Sequence, residues 1–168
     1  MENVSVESYQ KAATTIKYGG AVEAENCVFI SHNAHGVQLE TASLFRGKRC
    51  LIWKSDNSGV ECMTGTVELE DCVIAGNGHN GVTSLNHDQE QHLGGYETKL
   101  TMKRCLVFDN GLYGLELGNN VVVGEISEMD RNQFWRNGVG IVAPHEMGFL
   151  GSAWDNHEED FRVLGEKL

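Results

Sequence analysis

The sequence predicts an all-β solenoid of about five to seven coils, each of about 22 residues, in which parallel strands stack on themselves. Three observations carry this expectation. A cysteine anchor recurs at Cys27, Cys50, Cys72 and Cys105, with Asn132 in the same slot, at intervals of 23, 22, 33 and 27 residues. A glycine follows nine positions later at Gly36, Gly59, Gly81 and Gly114, and eight positions after Asn132 at Gly140. Around each anchor apolar residues alternate with period two, the spacing of a strand with one buried face.

The first strand of each repeat lies before its anchor, with Val22/Ala24, Phe45/Gly47, Val67/Leu69, Leu100/Met102 and Ser127/Met129 facing inward. The next follows the anchor and turns Phe29, Ile52, Ile74, Val107 and Phe134 inward; directly after the glycine come Val37, Val60, Val82, Leu115 and Ile141. Between these positions the outward columns test the stacking, because coils about 4.8 Å apart disfavour like charge. Two positions before the anchor the column reads Glu25, Lys48, Glu70, Lys103, Asp130, opposite in sign at every step. Four before it stand Glu23, Arg46, Glu68, Thr101 and Glu128. The repeats are therefore expected to lie on one another in chain order.

Three regions follow. Residues 1–20 are expected to form an N-terminal cap or partial first coil, residues 21–143 the repeats, and residues 144–168 a capping tail, since an open solenoid end exposes core and strand edges. The acids after His157, with Asn156 or Asp155 as cap, suggest a helix in that tail. The 33-residue interval is explained by a loop insertion at 86–95, N-H-D-Q-E-Q-H-L-G-G.

Coils of this length joined by glycine turns describe a right-handed parallel β-helix; leucine-rich repeats of similar period need more leucine and a helical return. With its C/N-x-[IVF]-x-x-N-x-x-x-G-[VIL] signature, the chain resembles the right-handed β-helix, or pectin-lyase-like, superfamily over about residues 21–143, in a degenerate, non-catalytic form. The resemblance implies one of several roles, since such repeats occur in polysaccharide lyases and hydrolases, epimerases, phage tailspikes and eukaryotic binding scaffolds. It also supplies a test for catalysis. Polygalacturonase-like hydrolases carry clustered aspartates, a Gly-His-Gly turn and an Arg-Ile-Lys. Here Gly78-His79-Asn80 departs at its third residue, and neither an adjacent Asp pair nor Arg-Ile-Lys occurs. Lys54 and Arg136 are the nearest candidates for a lyase base, and neither aligns with a second catalytic group.

Charge narrows the partners. The 168 residues carry a formal net charge of -11, which repels nucleic acid and anionic membrane and also polyuronates unless a cation bridges them. No apolar run long enough to span a bilayer and no apolar leader is evident, so a soluble, cytoplasmic protein is expected. The five cysteines are odd in number and lack close C-x-x-C spacing, which favours reduced thiols over disulfides or a metal site.

Candidate residues fall into two groups. Cys27, Cys50, Cys72 and Cys105 are expected to form a packing ladder, buried thiols behaving as small hydrophobes; Asn33, Asn57, Asn77, Asn110 and Asn137 are expected to form a ladder of amides. The ligand-binding candidates are His87, Asp88, Glu90 and His92 in the insertion, His79 in the turn before it, and Glu61 and Glu116, each two positions after its glycine but separated by the coil of Thr83. Trp53 and Trp135, three coils and about 14 Å apart, are expected to pack beneath loops rather than form a surface stripe. The resulting expectation is a non-catalytic scaffold for a protein or glycan, compatible with a homo-oligomer and needing no cofactor. The alternative is a small carbohydrate-active enzyme, a polysaccharide lyase or glycoside hydrolase, in which the histidines and acids near the insertion supply acid, base or a metal such as calcium.

Overall fold

The computed structural model describes residues 1–85, 97–119, 121–124, 131–144 and 152–163. These form three parallel sheets that together make a solenoid. Sheet 1 stacks Ser5–Ser8, Val28–Ser31, Leu51–Trp53, Val73–Ala75, Leu106–Phe108, Gln133–Trp135 and Ser152–Trp154. Sheet 2 stacks Thr14–Ile16, Val37–Leu39, Val60–Cys62, Val82–Ser84, Tyr113–Leu117, Val139–Ala143 and Glu159–Val163. Sheet 3 stacks Ala21–Glu25, Ser43–Lys48, Gly65–Glu70, Thr98–Lys103 and Val121–Val123. The first five coils visit sheets 1, 2 and 3 in turn, and the last two contribute described strands to sheets 1 and 2, so every strand pairs with its equivalent one repeat away.

The inward columns meet in one core. Phe29, Ile52, Ile74, Val107 and Phe134 from sheet 1, and Val37, Val60, Val82 and Leu115 from sheet 2, are all inaccessible to solvent. Burying a side chain of this size contributes about 1.5–3 kcal/mol. Phe29 and Phe45, on different sheets of one coil, meet edge to face at 5.8 Å, so the sheets pack on one another within a coil as well as between coils.

The anchor sits at the corner between sheets 3 and 1, where the preceding residue takes a left-handed backbone: φ is 52° at Asn26, 51° at Arg49, 54° at Asp71 and 53° at Arg104. That turn aims the anchor side chain at the backbone of the previous coil. Cys50 Sγ donates to Ala24 O at 3.4 Å, Cys72 Sγ to Gly47 O at 3.4 Å, and Asn132 Nδ2 to Met102 O at 2.9 Å, each carbonyl lying three residues before the previous anchor. Cysteine and asparagine share the slot because both present a donor there. All five cysteines are free and buried. The Cys72 thiol is pushed up to about 12 by its hydrogen bond with Cys105, and burial pushes Cys62 up to about 12.

The glycine column stands where neighbouring coils approach most closely. A Cβ at Gly36 would lie 2.7 Å from Gly59 O, and one at Gly81 2.4 Å from Val107 Cγ1 and 2.6 Å from Gly114 O. Only a residue without a side chain fits that contact.

An amide ladder runs alongside. Asn77 Nδ2 donates to Asn110 Oδ1 and Asn110 Nδ2 to Asn137 Oδ1, both at 2.9 Å, and Asn137 Nδ2 to Asn156 Oδ1 at 3.2 Å. Asn33 is not part of it: its side chain is exposed and donates to Tyr9 O at 2.5 Å. Ser31 and Ser55 occupy the slots expected of Asn33 and Asn57 without extending the ladder, Ser31 Oγ donating to Lys11 O at 2.8 Å and Ser55 Oγ having no hydrogen-bond partner, although Ser55 N donates to Asn77 Oδ1 at 3.0 Å; Asn156 supplies a rung that the repeat alignment did not assign. The cause is the corner after sheet 1. Lys54, Gly76, Asp109 and Arg136 each insert a left-handed residue there, so the rung falls five positions after the anchor, at Ser55, Asn77, Asn110 and Asn137; the coil of Cys27 lacks it and its rung falls four after, at Ser31, while Asn33 and Asn57 lie six and seven positions after their anchors and outside the slot.

Residues 1–20 provide strands of sheets 1 and 2, and the chain start pairs with the edge of sheet 3, Glu2 bridging Glu25 and Asn3 N donating to Glu25 O at 3.0 Å. In the tail, where a helix was expected after Asn156, Glu159–Val163 is a strand paired with Val139–Ala143. Asn156 completes the amide ladder instead of capping a helix, and its Nδ2 donates to Asp160 Oδ1 at 2.8 Å.

Candidate functional site

The three outer faces differ in chemistry. On sheet 3 the charges neutralise one another: Arg46 bridges Glu23 at 2.8 Å and Glu68 at 2.7 Å, Lys48 lies 3.6 Å from Glu70, and Arg104 forms a bidentate pair with Asp71 and reaches Glu70 at 2.6 Å. These are the alternating outward columns, and they hold the coils in register.

On sheet 1 the middle of the outer face is apolar, with exposed Ser5 and Glu7 at one end and Gln133 and Ser152 toward the other. Trp53, Ala75, Phe108, Trp135 and Trp154 share one outward column, with Ile30 next in register. Phe108 stacks on Trp135 at 4.5 Å and Trp135 on Trp154 at 5.4 Å, the planes within 14° and 8° of parallel. Trp53 and Trp135 therefore belong to a surface stripe, contrary to the expectation of packing beneath loops. They are half-buried by their neighbours in the column, and Trp154 is 42 % exposed.

Sheet 2 carries the polar cluster. Its outward column reads Thr15, Gln38, Glu61, Thr83, Glu116, Val142 and Arg162. Just before the glycine column, His35, Ser58 and Asn80 project from successive turns onto the same face. Glu61 Oε2 accepts from Gln38 Nε2 at 3.0 Å and lies 3.1 Å from His35 Nε2. One coil on, Asn80 Nδ2 donates to Thr83 Oγ1 and to Glu116 Oε2, both at 2.8 Å, and Ser58 Oγ lies 3.4 Å from Thr83 Oγ1. Two hydrogen-bonded clusters, His35–Glu61–Gln38 and Ser58–Thr83–Asn80–Glu116, thus lie side by side on the coils of Gln38 to Glu116.

His35 is the unusual member. It is 9 % exposed, and its Nδ1 is buried with no hydrogen-bond partner. Burial pushes its pKa below the usual imidazole range, the nearby Glu61 carboxylate opposes that shift, and His79 reinforces it. With Glu61 beside Nε2, the neutral ring is oriented to donate from Nε2 and leave Nδ1 a bare acceptor.

The structure brings three of the sequence candidates, Glu61, His79 and Glu116, to this face. His79 is exposed in the turn before Val82–Ser84. Glu61 and Glu116 stand on either side of Thr83, two coils apart. His87, Asp88, Glu90 and His92 lie outside the described residues. Sequence reasoning missed His35 and Asn80, although one signal was present: the position before the glycine holds His35, Ser58, Asn80 and Tyr113, polar in each of these coils. Among the described residues no group of three or more His, Cys, Asp or Glu side chains is placed to hold a metal ion, and no helix is long and apolar enough to cross a membrane.

Comparison with curated proteins gives no match, and comparison with solved structures gives none either. The family comparison is positive over most of the chain: residues 1–148 match the model described as right handed beta helix region, so this protein belongs to the right-handed β-helix family.

Proposed function

We propose that the chain is a non-catalytic binding scaffold and that the outer face of sheet 2 is its contact surface for a hydroxyl-rich, uncharged glycan. The observation that carries this reading is the pair of adjacent polar clusters, His35, Gln38 and Glu61 in one and Ser58, Asn80, Thr83 and Glu116 in the other. Its partly exposed members, Gln38, Glu61 and Glu116, offer polar groups over three coil spacings, about 14 Å, a length that suits a short oligosaccharide, while Asn80 and Thr83, 7 % and 3 % exposed, hold Glu116 in place from below. The formal charge of -11 favours neutral over uronic sugars. Both carboxylates are engaged by neighbouring side chains, which suits recognition better than proton transfer.

A glycan array probed with the purified chain, with and without calcium, tests this. Selective binding that is lost in Asn80→Ala and Glu61→Gln, with the fold intact by circular dichroism, supports the reading. A clean negative across the array overturns the glycan assignment and leaves the scaffold with a protein partner.

The separation of Glu61 and Glu116 supports a second reading. Two coil spacings, about 10 Å, lie near the wide end of the distance between the acid and base of inverting glycoside hydrolases. Release of reducing sugar by the wild-type chain, abolished in both Glu61→Gln and Glu116→Gln, is the result that would favour the enzyme. Equal release by the variants would reject it.

A further inference from the structure

The glycine column ends on a different residue. In register along sheet 2 the slot holds Ala13, then Gly36, Gly59, Gly81, Gly114 and Gly140, and in the last described coil Asp160. A side chain in this slot points into the coil that follows. A Cβ at Gly114 would lie 2.5 Å from Gly140 O and 2.8 Å from Asn137 Nδ2, and one at Gly140 2.5 Å from Asp160 O and 2.8 Å from Asn156 Nδ2. The largest side chain on which a coil is stacked is the methyl of Ala13. The side chain of Asp160 therefore fills the space where the backbone and the rung of a following coil would lie.

Asp160 also closes the amide ladder. Asn156 Oδ1 accepts from Asn137 N at 2.9 Å and from Asn137 Nδ2 at 3.2 Å. In turn Asp160 Oδ1 accepts from Asn156 Nδ2 at 2.8 Å and, at a longer 3.4 Å, from Asn156 N. The carboxylate thus takes the place that Oδ1 of a following rung would take, and it comes from within the same coil. An ionised carboxylate accepts and does not donate, so the chain of donors stops there.

The end that Asp160 occupies needs such a stop. Among the described residues Ser152–Trp154 and Glu159–Val163 stand at the edges of sheets 1 and 2, and Phe161, in register with buried Ile141, is 50 % exposed. Free strand edges beside exposed core are templates for further pairing. A second copy presents a matching surface, its first coil, and a head-to-tail joint of this kind repeats without closing and grows into filaments. Charge does not forbid it: Lys11 and Glu158 hold the same position, two before the slot, so the joint would set opposite charges together. We infer that Asp160 is the terminator of the solenoid, filling the slot so that the last coil accepts no other and copies of the chain do not stack end to end. Terminal repeats of solenoids carry this duty in general; here one side chain performs it.

Asp160→Gly in the full chain tests this. The variant gives the last coil the residue that earlier coils carry, and Asn156 Nδ2 keeps Trp154 O at 3.2 Å, so it should fold, which a thermal melt checks. Sedimentation from about 1 to about 200 µM, a range that reads dissociation constants from micromolar upward, should show it associating at least about tenfold more tightly than the wild type. Carbodiimide cross-linking should join Lys11 of one copy to Glu158 of another. Asp160→Ala, which leaves only the methyl that a stacked coil tolerates at Ala13, should act in the same direction and replaces the glycine variant if that one does not fold. Asp160→Asn keeps the bulk and the Oδ1 acceptor without the charge and should behave as the wild type does. Folded Asp160→Gly or Asp160→Ala chains that associate no more than the wild type overturn the inference. So does equal association in Asp160→Asn, since repulsion rather than the filled slot would then hold the ends apart, and so does a Lys11–Glu158 cross-link between wild-type chains. None of these variants alters Glu61, Asn80 or Glu116, so this inference and the glycan reading fail separately.

Discussion

Asn110 Oδ1 accepts two hydrogen bonds from Asn77, one from its backbone N at 3.1 Å and one from its side-chain Nδ2 at 2.9 Å. The same double contact links Asn137 to Asn110. Each rung thereby satisfies both a corner N–H, which parallel pairing leaves unbonded, and the amide of the preceding rung. Asn77, Asn110 and Asn137 are all at least 98 % buried, so neither donor has water as an alternative.

Asn110→Ala should therefore leave the backbone N and Nδ2 of Asn77 without acceptors and cost about 2–6 kcal/mol, since each buried orphan costs about 1–3 kcal/mol. Chemical denaturation reads the loss directly. Asn33→Ala, outside the ladder and exposed, should stay within about 0.5 kcal/mol of wild type. Equal costs at the two positions would show that the ladder is not what holds the corners.

Gly81→Ala places a methyl group 2.4 Å from Val107 Cγ1 and 2.6 Å from Gly114 O, so the coils must separate. The expected cost is about 3 kcal/mol or loss of folding, as for overpacking of a tight core. Gly76→Ala meets no atom within 4 Å, and its φ of 62° is close to the 55° of Asp109 in the equivalent corner. It should cost only about 1 kcal/mol, the strain of an L-residue in the left-handed region. Thermal melts of the pair separate close approach from backbone strain.

The five thiols should be unreactive in the native chain. All are buried, which keeps reagents out, and the thiols of Cys50, Cys62 and Cys72 are pushed up, those of Cys62 and Cys72 to about 12; the Cys105 thiol is shifted the other way, lowered by its hydrogen bond with Cys72, so for it burial is the protection. Alkylation followed by mass spectrometry should show modification only as denaturant crosses the unfolding transition. Fast labelling of one cysteine under native conditions would mean that its coil opens locally.

Much of the fold was legible because a solenoid repeats one environment many times. The Cys27 to Cys105 column, the glycine column from Gly36 and the charge alternation through Arg46 and Glu68 report the same stacking from inside and outside. What misled the reading was local geometry. Period-two alternation fails at Gly36 and Val37, which both face the core, so His35 is turned outward onto the polar face against the simple count. One missing left-handed corner residue moved the rung in the coil of Cys27 from five to four positions after the anchor, so it falls on Ser31, while Asn33 lies two positions beyond it. The chemistry of the outer faces was harder to read, because whether Trp53 and Trp135 are covered depends on what packs above a sheet, which a repeat pattern does not encode.

His35 and Glu61 make the polar face sensitive to pH in a definite direction. The folded chain binds a proton at His35 less readily than the unfolded chain, whose imidazole titrates near 6.5. As pH falls below that value the unfolded state takes up the proton first, so stability is complete above about pH 6.5 and declines as pH falls, until the folded-state pKa is passed. His35→Gln should flatten this part of the stability–pH curve. Glu61→Gln acts in the opposite sense, because the carboxylate is what holds the His35 pKa up against burial and against His79. Without that charge, His35 should titrate at still lower pH, and the acid loss of stability should extend further and become larger in total. Ring-proton titration of His35 by NMR, run alongside denaturation at a series of pH values, measures both effects. If the His35 pKa instead stays fixed or rises in Glu61→Gln, the 3.1 Å contact between the two side chains does not control the ring, and the acid sensitivity of this face must have another source.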